Sequence, residues 1–76
     1  MKSWEGYFSR GANLTRCVLK DTDFSQADCH GADIVDADLR ESNLSKANLL
    51  MANLTKANLT KANLSEAKLK GTILSI

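Results

Sequence analysis

The residues in this chain that could do chemistry are few: Cys17, Cys29, His30 and the carboxylates Asp23, Asp28, Asp33 and Asp38. A zinc site would need several thiolate or imidazole ligands at turn-like spacing. The two cysteines stand twelve residues apart, with no Cys-x-x-Cys and no Cys/His cluster, so small buried thiols are the favoured reading. His30 is the only histidine, so a nucleophile–base set would have to be assembled without a second imidazole. A solvated surface histidine is the preferred account. The four aspartates recur every five residues at one position of a repeat, which favours a structural and solvating role over paired acid–base catalysis. No catalytic, cofactor-binding or metal-binding set emerges, no cofactor is expected, and an enzyme is not expected.

What positions all of these side chains is a five-residue period. From Leu14 in steps of five, the centres run Leu14, Leu19, Phe24, Cys29, Ile34, Leu39 and then Leu at every step to Leu74; all thirteen are apolar. The residue two before each centre is Ala in nine units, otherwise Cys17, Thr22, Ser42 or Thr72. The residue one before is Asn or Asp in ten, the exceptions being Val18, Lys68 and Ile73. The last two positions of each unit are mostly polar.

Neither a helix nor a flat strand can use this pattern. On an α-helix a five-residue step turns by about 140°, so the leucines would spiral around the cylinder without forming a stripe. In a strand, Ala and Leu two apart share a face, but the next Ala lies three residues on and changes face. Each unit must therefore turn a corner. A coil with one unit per side keeps Ala and Leu inside and the corner residues outside, and it hydrogen-bonds the backbone to the turns above and below.

The charges indicate four sides. With residues twenty apart stacked at roughly 4.8 Å, the last positions give Arg16 beneath Asp36 beneath Lys56, Glu41 beneath Lys61 and Lys46 beneath Glu66, with only Asp21 and Glu41 alike. Gly11, Gly31, Met51 and Gly71 share another corner. Three glycines there suggest either a backbone conformation that Gly permits easily or room left around Met51.

These units, written ADIVD, ADLRE, ANLLM, ANLTK and ANLSE, resemble the pentapeptide-repeat family, A(D/N)LXX. The resemblance implies an all-β fold: a right-handed quadrilateral parallel β-helix of about three coils, four pentapeptides per coil. Residues 12–76 would form thirteen repeats, and residues 1–11, with Trp4, Tyr7 and Phe8, an aromatic N-terminal cap. It also implies two chains paired end to end through residues 59–76, a homodimer of the kind this family commonly shows. Many such proteins, numerous in cyanobacteria and other bacteria, have no assigned activity.

Seventy-six residues make one small domain, with a net charge of +1. The charge is graded: +3 over residues 1–20, −6 over 21–41 and +4 over 42–76. No apolar run long enough for a signal peptide or a membrane span occurs, so a cytoplasmic location is the expectation.

The surface offers three candidates for protein contact. Leu50 and Met51 are apolar where the repeat is otherwise polar, Asp28, Asp33, Asp36 and Asp38 mark the acidic coil, and Leu74 and Ile76 end the last coil. A non-enzymatic structural or protein–protein interaction solenoid with an unidentified partner is the expectation. A mimic of DNA directed at DNA gyrase, which the family resemblance also raises, is disfavoured by the short rod and the +1 charge. Binding of nucleic acid or an anionic surface through the basic C-terminal coils is disfavoured by the absence of Arg forks and interleaved aromatics there.

Overall fold

The computed structural model describes Ser3 and residues 10–74. Parallel bridges join residues twenty apart and define four sides. Asn13, Asp33, Asn53 and Ile73 stack on one side; Val18, Asp38 and Asn58 on the next; Ser3, Asp23, Asn43 and Asn63 on the third; Asp28, Asn48 and Lys68 on the fourth. Each side contributes a single bridged residue, the Asn/Asp position, so the walls are short rungs rather than extended strands. The result is a right-handed quadrilateral β-helix. Its ladder already includes Ser3, bridged to Asp23, within the segment expected to be a cap; Trp4, Tyr7 and Phe8 lie outside the described residues.

Three backbone hydrogen bonds recur between coils. The N–H of a centre donates to the next coil, as Leu14 does to Asp33 C=O at 2.7 Å, and so does the N–H two residues later, as Arg16 does to Val35 C=O at 2.8 Å. The N–H of the Asn/Asp position donates the opposite way, as Asp33 does to Ala12 C=O at 2.8 Å. A fourth bond closes most corners: Cys17 N–H to Leu14 C=O at 3.1 Å, repeated by Ala27 to Phe24 at 2.9 Å and Ala52 to Leu49 at 3.0 Å.

These corners require a positive φ at the residue two after each centre, the signature of a type II turn. Ten non-glycine residues adopt it, from Asp36 at 57° to Met51 and Lys61 at 61°, alongside Gly11, Gly31 and Gly71. The left-handed region costs an ordinary residue about 1–2 kcal/mol, so the repeat carries that cost at most corners. The Asn/Asp position offsets part of it. Its side-chain oxygen accepts the N–H two residues on, as in Asp23 to Ser25 at 2.9 Å, Asn48 to Leu50 at 3.1 Å and Asn63 to Ser65 at 2.9 Å. This short acceptor loop explains why Asn and Asp occupy the position.

Leu and Ala fill the interior. Leu39, Leu44, Leu49 and Leu54 are buried, with Ala27, Ala32, Ala37, Ala47 and Ala52 beside them. Phe24 and Cys29 take centre positions without leaving the core, and Thr22 and Ser42 sit buried in small positions. Burial fades toward the last coil: Leu54 is 1% exposed, Leu69 37% and Leu74 52%.

The stacking register is the one the charges indicate, but those charges do not pair. Among the described residues the ion pairs are Arg10 with Asp28 and Arg40 with Asp38, both at 2.7 Å, and Lys20 with Glu41 at 3.8 Å. Holding two long exposed side chains in one geometry gains little, whereas Arg40 reaches a carboxylate two residues away on its own wall.

Candidate interaction surfaces

The acidic coil does not converge on a face. Asp28 lies on one wall, Asp33 on the next, Asp36 at the corner after it and Asp38 on the wall beyond. Much of their charge is already engaged. Asp28 accepts from Arg10 Nε at 2.7 Å, from His30 N–H at 3.1 Å and from Asn48 Nδ2 at 3.2 Å. Asp38 accepts from Arg40 Nε at 2.8 Å and Nη2 at 2.7 Å, as well as from the Arg40 N–H at 3.2 Å. The guanidinium of Arg40 holds the Asp38 carboxyl down to about 2, and Arg10 lowers that of Asp28. Side-chain and backbone hydrogen bonds from Ser25 lower Asp23. Asp33 and Asp36 are exposed. Among the described residues Asp33 makes none of the side-chain bonds of its neighbours in the repeat, so Asp33, Asp36 and the exposed Asp21 carry the unengaged acidity of the coil.

Leu50 and Met51 are brought to one corner but are not equivalent. Leu50 is half-buried; its N–H donates to Asn48 Oδ1 at 3.1 Å and its C=O accepts from Gly31 N–H at 2.9 Å. Met51 is 63% exposed and has φ 61°. Its Sδ lies where a Cβ on Gly71 would be, whereas a Cβ on Gly11 or Gly31 would meet nothing within 4 Å. Of the two explanations for the glycine corner, the positive φ is common to every corner and distinguishes none. The room left around Met51 holds at Gly71.

At the C-terminal end, Leu74 and Ile73 are each 52% exposed, and Ile76 lies outside the described residues. Cys17 is half-buried and Cys29 buried, and neither is in a disulfide among the described residues. Among the described residues no group of His, Cys, Asp and Glu could hold a metal ion, and no helix is long and apolar enough to cross a membrane.

Sequence reasoning passed over one feature of this end. The N–H groups of Leu59, Leu64, Leu69 and Leu74 have no backbone acceptor among the described residues, and the C=O groups of Ala57, Ala62, Ala67 and Thr72 have no donor there. The signal for it lay in the register itself. Every centre N–H looks twenty residues on for its partner wall, and the last coil has none within the described chain.

The fold and these surfaces can be set beside known proteins. No curated protein matches the chain. Among solved structures, it is similar to a pentapeptide-repeat protein of the Arabidopsis thaliana thylakoid lumen, with TM-score 0.92 and 35% identity over 93% of this chain and 49% of that one. It is similar also to HetL, a protein involved in heterocyst differentiation regulation from the cyanobacterium Nostoc sp. strain PCC 7120, with TM-score 0.93 and 36% identity over 95% of this chain and 34% of that one. Rfr23 of the cyanobacterium Cyanothece 51142 follows at TM-score 0.65 and 29% identity, over 95% of this chain and 53% of that one. The chain thus spans between a third and just over half of the length of these relatives. The family model for pentapeptide repeats matches residues 10–40 and 37–75, and the chain belongs to the pentapeptide-repeat family.

Proposed function

We propose that this chain is a non-enzymatic interaction module that docks end-on through its last coil, with a second copy of itself as the partner. The observation that carries the reading is the C-terminal end, where Leu69, Ile73 and Leu74 are partly exposed and the backbone groups that each coil offers the next lack backbone partners among the described residues. An open sheet edge of this kind is a template for further pairing, and the leucine cross-section beneath it favours a partner that removes it from water. The walls supply no comparable site. The acidity is distributed over all four sides and partly neutralised by arginine, which gives no support to mimicry of DNA. HetL, a relative of the same fold, is involved in heterocyst differentiation regulation.

Light scattering over a concentration series tests the reading. A mass of twice the chain at tens of micromolar is expected. Leu69→Glu and Leu74→Glu, at positions already partly exposed, should return it to one chain mass with the fold intact by circular dichroism. A single-chain mass throughout the series would refute it.

A further inference from the structure

We infer that Met51 is a redox-sensitive contact of this fold: oxidation of its thioether by a peroxide lifts the side chain off Gly71 and loosens the corner at Lys70 and Gly71. The inference does not rest on the end-on docking proposed above.

Met51 is the only methionine besides Met1, and it stands where the other described corners carry a charge, an amide or glycine. It is 63% exposed, so a small oxidant reaches it. The apex of its thioether points at Gly71. From the place that a Gly71 Cβ would occupy, Sδ is the nearest atom, and Cγ and Cε both stand at 3.6 Å. The sulfur lone pairs lie on that same side, away from both carbons.

The corner beneath is shaped by this contact. Among the bonds from a corner N–H to the next coil, Met51 to Lys70 C=O is the longest, 3.1 Å against 2.8 Å for Arg16 to Val35 and 2.9 Å for Gly31 to Leu50. The φ of Gly71, 74°, is the widest of the positive values, the others ending at 68° in Gly31. Lys68 stands at the Asn/Asp position of this unit, so Lys70 N–H lacks the side-chain acceptor that braces most other corners. The polarizable sulfur thus fills a widened gap at a corner with one brace fewer.

In the oxidation step the sulfur attacks one peroxide oxygen. The S–O bond forms as the O–O bond breaks, sulfur gives up two electrons, and the proton of the transferred oxygen leaves with the departing hydroxide as water. The new oxygen takes a lone-pair site, on the side of the sulfur that rests over Gly71, and turns an apolar side chain into a polar one. Met51 then swings outward and vacates the gap. The surface at Leu50 and Met51 loses its apolar contact in the same step.

Hydrogen peroxide tests this in a Cys17→Ser background, which removes the half-buried thiol. Mass spectrometry of the digested chain should place one added oxygen on Met51, and the melting temperature should fall by about 4–8 °C. Methionine sulfoxide reductase with a dithiol should restore it. Met51→Leu should keep its melting temperature under the same dose. Gly71→Ala, whose methyl already displaces the sulfur, should gain the oxygen on Met51 with a much smaller fall. Oxidised Met51 with an unchanged melting temperature would overturn the inference, as would an equal fall in Met51→Leu. A Met51 left unoxidised while peroxide consumes N-acetylmethionine amide would overturn it too.

Discussion

Replacing Leu54 by Asp tests the inside/outside assignment most directly. Leu54 is 1% exposed and stacks in one column with Ile34 and Leu74, twenty residues to either side. Its immediate neighbours in the small positions are Ala52 and Ala57, both buried, so no side chain there can bond a carboxyl. Losing the buried isobutyl group forfeits about 1.5–3 kcal/mol of burial, and sealing an unpartnered polar group in its place costs about 1–3 kcal/mol more. The sum, about 3–6 kcal/mol, is comparable with the whole stability of many small domains, about 5–15 kcal/mol. Leu54→Ala should cost about 2–5 kcal/mol, whereas Lys56→Gln, at an exposed corner, should stay within about 0.5 kcal/mol of the parent. Urea unfolding followed by circular dichroism reads all three. The Leu54→Asp variant carries a second signature. Burial disfavours the charged form, so the folded pKa of the introduced carboxyl lies above the unfolded value, and the variant's deficit relative to the parent should shrink as the pH falls through that raised folded pKa toward about 4. A Leu54→Asp variant unfolding within about 0.5 kcal/mol of the parent would refute the leucine-inside coil.

Three further outcomes follow from particular side chains. Ser42 Oγ is buried without a hydrogen-bond partner, so Ser42→Ala should raise the stability by about 1 kcal/mol, read as a higher urea midpoint at unchanged m. Gly71→Ala should cost more than Gly31→Ala by about 1 kcal/mol or more. Both meet the positive-φ penalty, but only Gly71 also meets the Met51 sulfur, and Met51→Ala should abolish the difference in a double-mutant cycle. The carboxyls of Asp23, Asp28 and Asp38 are lowered from the ordinary 3.8, that of Asp38 to about 2. On acidification the unfolded chain binds those protons first, so their contribution is whole above about pH 4 and is lost as the pH falls toward 2. The melting temperature should fall across that window, and less steeply in Arg40→Gln; an equal slope in parent and variant would argue against the Arg40–Asp38 pair.

How far the candidate surfaces could be read in advance depended on whether a feature belonged to the repeat. The odd apolar residues Leu50 and Met51 were visible as exceptions to a rule. That Met51 rests on Gly71 while Leu50 is half-buried was not, because side chains sharing a corner column can lie along the wall or away from it. The acidic coil was legible as a block of seven acidic residues and one basic over residues 21–41. Its neutralisation by Arg10 and Arg40 was hidden, because stacking by twenty predicted corner-to-corner pairs. The arginines instead reach carboxylates at the Asn/Asp positions, which are held in place by their turn bonds.

Sequence alone determined the period, the four-sided register and the division into inward and outward residues. A five-residue repeat of large and small apolar residues has only one way to bury them, and a stack of twenty-residue turns leaves little freedom in which residues adjoin. Tertiary structure alone decided the rest. It set left-handed φ at ten non-glycine corners, a cost that no residue type there announces. It gave the Asn/Asp position its work as a turn acceptor. It also left Leu69, Ile73 and Leu74 partly exposed in the last described coil, because the side chains that cover a centre belong to the adjoining turns rather than to the residue itself.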